Sequence, residues 1–170
     1  MSLRRLRAGE WLAAAGAVAL AVVLFLEWFE ERLPARVTET AGRFVREDPG
    51  ASGWSSLGWL MVALLVVVIA LAAWLVATTA SDAPVSQPVM AAVLLSALGP
   101  VALLALVVRV AIAQPGADQL VETEPGAYLG IAALAVLVAG AWRSIADERT
   151  GAPESAYTPP SPRPAPPERI

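Results

Sequence analysis

The chain has 170 residues, 57% of them hydrophobic, a net charge of −3 and a mean hydropathy of +0.62. It holds no Cys and no His, and all 12 of its basic residues are Arg. These absences exclude disulfides, thiolate chemistry, an imidazole base, Schiff-base lysines and a P-loop lysine, and the mild charge carries no footprint of nucleic-acid binding.

The apolar excess falls in four blocks separated by polar stretches, which predicts membrane spans rather than one core. A basic lead with Arg4, Arg5 and Arg7 precedes the first block, 11–29. That block is longer than the 7–15 residues of a secretory signal core, and EWFEER follows it instead of a small-residue cleavage site. A retained first span is therefore expected. A twin-arginine reading of Arg4-Arg5 is weaker, because the long block follows directly.

Residues 30–53 form the longest loop. Within it PARVTETAGRFVRED reads as a short amphipathic helix. Leu33, Val37, Ala41, Phe44 and Val45 share one face, and Glu39, Arg43 and Glu47 alternate in sign at steps of four. Such a helix either packs on the bundle or lies at the lipid interface. The second span, 57–78, carries no charge. About 20 residues of helix cross a hydrocarbon core of roughly 30 Å, and a helix apolar on every face needs lipid or a large core around it.

The third span covers about 88–113, with Gly99-Pro100 near its middle. Proline removes a backbone hydrogen bond and crowds the preceding turn, so a kink is expected there. Paired breaks of this kind mark transport sites in inverted repeats, but no inverted partner is visible. The following loop carries Asp118, Glu122 and Glu124, read as a solvated face, since a cation site needs more oxygen ligands than their spacing guarantees. The fourth span covers about 126–142. Gly126 and Gly130 stand four apart on it, and Ala13, Ala17 and Ala21 make a similar stripe on the first span. Both small-residue surfaces are expected to take part in helix packing. The segment 150–170 is rich in proline and is read as a disordered or polyproline-like tail; PPSP and PAPP fit a recognition ligand, though a plain terminal tail is the simpler reading.

Two charges intrude on the apolar blocks. Glu27 lies near the end of the first span and Arg109 near the end of the third, at the same face of the membrane. Either each snorkels to water, or the two form an interhelical ion pair that clamps the first span to the third. Arg4, Arg5, Arg7, Arg143 and Arg149 flank the two ends, against Arg32, Arg36, Arg43 and Arg46 in the first loop. The balance places both termini in the cytoplasm. Trp11, Trp74 and Trp142 fall near one interface; Trp28, Trp54, Trp59 and Tyr128 fall near the other.

The expected fold is an all-α integral membrane four-helix bundle, up-down, with residues 1–149 as the transmembrane domain and 150–170 as the tail. No catalytic, cofactor-binding or metal-ligating set is visible. Serine-type intramembrane proteolysis would want a His, and the aspartyl type two buried Asp residues. Two functions remain open: a non-enzymatic accessory or scaffold protein acting through helix packing, or a small channel or transporter component active as an oligomer. The expected partners are the lipid bilayer of the cell membrane and either another membrane protein or further copies of the chain.

The order of GEWLAAAGAVALAVVLFLEWF at 9–29, SGW at 52–54, VVRV at 107–110, PG at 115–116, GAYLG at 126–130 and GAWRSIADER at 140–149 resembles uncharacterised small four-span membrane proteins of high-GC Gram-positive bacteria. The likeness covers most of 1–149 and leaves out the tail. In that group Pro is expected where Glu27 stands and Arg where Ala146 stands. The group brings no established activity, so the resemblance implies architecture and compartment alone.

Overall fold

The computed structural model describes residues 6–31, 51–81, 86–113 and 121–150. The expected amphipathic helix of the first loop and the tail beyond 150 lie outside the described residues. Among the described residues eight elements follow one another: α1 (Ala8–Val23), β1 (Glu27–Glu31), β2 (Ala51–Ser52), α2 (Gly53–Ser56), α3 (Trp59–Ala80), α4 (Ser86–Ala111), β3 (Val121–Thr123) and α5 (Pro125–Thr150).

The three long helices form where long apolar runs let every peptide group bond within its own segment. In a medium without water that is the cheapest way to satisfy the backbone. Among the described residues three helices are long and apolar enough to cross a membrane, over Trp59–Ala80, Ser86–Ala111 and Pro125–Ala146, which marks a membrane protein. The helix ends, that of α1 included, carry local solutions. The Glu10 carboxylate accepts the Arg7 backbone N–H at 2.6 Å, which fills one orphan position at the start of α1. Thr78 and Thr79 turn their hydroxyls back onto the Trp74 and Leu75 carbonyls at 2.8 Å each. Pro125 opens α5 at the one position where a missing N–H costs nothing.

The first apolar block is not one continuous helix. Its helix stops at Val23 after 16 residues, turns through Leu24–Leu26, and continues as β1. β1 is the centre of a three-stranded antiparallel sheet, between β2 and β3. The expectation of a helix over 11–29 is corrected here, and the reason is tertiary. The hydrogen-bond partners of β1 come from residues 51–52 and 121–123, which no local pattern around residue 28 reveals.

Helix packing follows a cycle: α1 against α5, α5 against α4, α4 against α3, and α3 against α1. Leu20, Leu65, Leu75, Leu95, Leu106, Leu134 and Leu137 are fully buried between them. Val18, Val66, Val101 and Leu104 point outward and are exposed, as lipid-facing positions require.

Candidate functional site

Among the described residues, α1 and α5 meet backbone against backbone. As the numbering climbs on α1 through Gly9, Ala13 and Gly16, it falls on α5 through Ser144, Gly140 and Leu137, so the two run antiparallel. A Cβ added at Gly9 would lie 2.5 Å from the Ser144 nitrogen, and one at Gly16 2.5 Å from the Leu137 nitrogen. One at Gly140 would land on the Ala13 backbone. Backbone cannot move aside as a side chain can, so this seam exists only with glycine at these points.

Of the expected stripe, Ala13 and Ala17 are buried and Ala21 is half-buried. Gly126 and Gly130 do not receive a helix. Gly126 lies under the Glu27 carbonyl, and Gly130 under the Trp28 ring. Their close approach is used by strand β1, which the sequence had no means to place there.

One end of the seam is polar. Glu10 is 5% exposed and Ser144 1%. The Ser144 hydroxyl donates to Glu10 Oε1 at 2.9 Å, while Oε2 takes the Arg7 N–H. Sequence reading placed Glu10 in the basic lead and missed it. A signal was present: an acidic residue three places after a helix start is half of a capping box.

At the opposite end of α1, Trp28 is fully buried. A Cβ at Gly53 would lie 2.8 Å from its Nε1, so Gly53, Gly126 and Gly130 together make room for the indole. The indole N–H donates to the Val23 carbonyl at 2.9 Å, satisfying one of the last acceptors of α1. Phe29 beside it is buried as well, whereas Trp59 at that end is 76% exposed and Trp54 and Tyr128 are also open. Phe25 and Trp54 meet with centroids 5.6 Å apart.

Glu27 and Arg109 reach the same end of the molecule but are not joined. Arg109 donates to the Ser56 carbonyl at 3.0 Å and to the Ala113 carbonyl. Glu27 stands opposite Ser52 in the sheet with its side chain exposed. Among the described residues no ion pair links the two, so Arg109 ties the end of α4 to α2 and leaves the first helix alone.

Gly99 and Pro100 lie within α4, which continues as helix on both sides. Gly99 faces Val138, whose Cγ2 would stand 2.8 Å from an added Cβ. Proline has no N–H, so the carbonyl of Ser96, four residues back, loses its intrahelical donor. That carbonyl accepts the Trp142 indole N–H from α5 at 3.3 Å. Neither Ser96 nor Trp142 stood out from sequence as partners, since only the packing of α4 on α5 brings them together.

Among the described residues every buried side-chain nitrogen or oxygen has a partner, and no group of three His, Cys, Asp or Glu residues could hold a metal ion. A shallow groove of about 320 Å³ opens outward along the α1–α5 seam, lined by Ala15, Gly16, Ala19, Ala132 and Ala133 together with Val23, Leu129 and Val136. No family model, curated protein or solved structure matches the chain.

Proposed function

We propose that this is a multi-pass cell-membrane protein in which α1, α3, α4 and α5 form an up-down four-helix bundle, and that it acts without enzymatic chemistry, as an accessory or scaffold protein working through helix packing. The outward groove carries this reading. Five of its eight lining residues are alanine or glycine, and small residues of that kind let another helix approach its backbone closely within lipid. The short α1 fits a four-span reading because β1 takes over at the level of Gly126 and Gly130, where α1 has already ended. An even number of spans puts both termini on one side, and Arg4, Arg5, Arg7, Arg143 and Arg149 favour the cytoplasm.

The experiment is purification of the tagged full-length chain in native lipid particles, with the termini located by accessibility labelling. A stoichiometric complex with another membrane protein supports the scaffold reading. A closed homo-oligomer with a hydrated axis overturns it in favour of a small channel or transporter component. Termini on opposite faces would overturn the bundle itself.

A further inference from the structure

We propose that Gly99-Pro100 is a hinge in α4 and that the Trp142 indole is its latch. The proposal rests on the reading of α4 and α5 as helices in lipid, together with the geometry around Pro100. Pro100 interrupts the ladder and deprives the Ser96 carbonyl of the N–H that would ordinarily reach it from four residues on. A bare carbonyl in an apolar medium is strongly disfavoured, so something must donate to it. The Ser96 hydroxyl is engaged elsewhere, on the Val93 carbonyl at 2.9 Å. The donor is the Trp142 indole on the neighbouring helix, at 3.3 Å.

The second hold on this point is the contact of Gly99 with Val138, again on α5. The half of α4 before Pro100 is thus joined to the half after it through an incomplete ladder, and the missing bond is supplied from α5. The latch is reversible by its placement. The Trp142 ring is 59% exposed, at the edge of the bundle, where an outside acceptor such as a lipid ester carbonyl can compete for the N–H. When the indole leaves, the first half of α4 keeps the packing of Ala91, Ala92 and Leu95 but swings more readily about Gly99-Pro100, while the second half stays tied through Arg109 to Ser56. The Pro100 break and the exposed Trp142 then act as one device.

The test uses the full-length chain in phosphatidylcholine nanodiscs. The chain has no cysteine, so engineered pairs label uniquely. Spin-label distances are measured between Met90→Cys and Leu12→Cys, before the hinge, and between Leu104→Cys and Val22→Cys, beyond it; all four positions are exposed. Trp142→Phe should broaden or shift the first distance and leave the second unchanged. Pro100→Ala restores the N–H that Ser96 lacks, so in that background Trp142→Phe should change neither. Pro100→Ala alone should narrow the first distance, which keeps the proposal testable if Trp142→Phe does not fold. An unchanged first distance in Trp142→Phe, an equal broadening with and without Pro100, or no narrowing in Pro100→Ala would each overturn the latch. Failure of the parent chain to enter nanodiscs would instead bring down the membrane reading, and the latch with it.

Discussion

Ser144 on α5 donates its hydroxyl to the Glu10 carboxylate on α1 at 2.9 Å, across a separation of 134 residues. Both side chains are buried, and the other carboxylate oxygen already holds the Arg7 N–H. Ser144→Ala removes one partner of a buried acidic side chain and is expected to cost about 1–3 kcal/mol. Unfolding in detergent measures the loss. A double-mutant cycle with Glu10→Ala should show coupling of about 0.5 kcal/mol or more, and strictly additive losses would show that the contact contributes nothing.

The seam beside this pair depends on glycine for a steric reason, while Gly58 is needed for a conformational one. Gly140→Ala drives a methyl into the Ala13 backbone and should destabilise by about 1–3 kcal/mol. Gly58 has φ 76° with open space around it, so Gly58→Ala is expected to cost about 1–3 kcal/mol through backbone strain alone. Spin labels at Val18→Cys and Val136→Cys separate the causes. Their distance should lengthen in Gly140→Ala and stay fixed in Gly58→Ala.

Gly130→Ala is expected to push the Trp28 ring from its seat, because the added methyl would meet the ring itself. The loss should be about 1–3 kcal/mol, with a red shift of tryptophan emission and a weaker near-ultraviolet dichroism signal. Trp28→Phe keeps a ring but loses the donation to the Val23 carbonyl, for an expected loss of about 0.5–1.5 kcal/mol or more. Unchanged emission in Gly130→Ala would mean that the indole does not sit on that glycine.

Substitutions at Glu27 and Arg109 should act independently. Arg109→Gln removes the charged donor from the Ser56 and Ala113 carbonyls and is expected to cost about 1.5–3 kcal/mol. Glu27→Gln alters an exposed side chain and should stay within about 0.5 kcal/mol. The double substitution should equal the sum within about 0.5 kcal/mol. A larger deviation in detergent unfolding would restore the ion pair that the apolar blocks suggested.

Legibility followed the range of the interactions. The runs around 57–78, 88–113 and 126–142 were readable as helices because a helix bonds within itself, and an unbroken apolar run leaves lipid as its solvent. Small residues at Ala13 and Ala17 marked a packing face for the same local reason, though Gly9, Gly16 and Gly140, which complete the seam, were passed over. The two readings of Glu27 and Arg109, snorkelling or an ion pair, show the opposite case, since counting charges by depth gave the right end of the molecule and no sign of the Ser56 carbonyl that Arg109 reaches.

The amino-acid order by itself determined that three long apolar helices form and that no cysteine or histidine chemistry is available. Only tertiary structure decided that residues 27–31 leave the helix for a strand, that Trp28 is buried among glycines, and that Trp142 answers the carbonyl freed by Pro100. The physical reason is common to all three. Each depends on a hydrogen bond or a close contact whose second member lies at least 20 residues away, and no local periodicity encodes which distant segment will supply it.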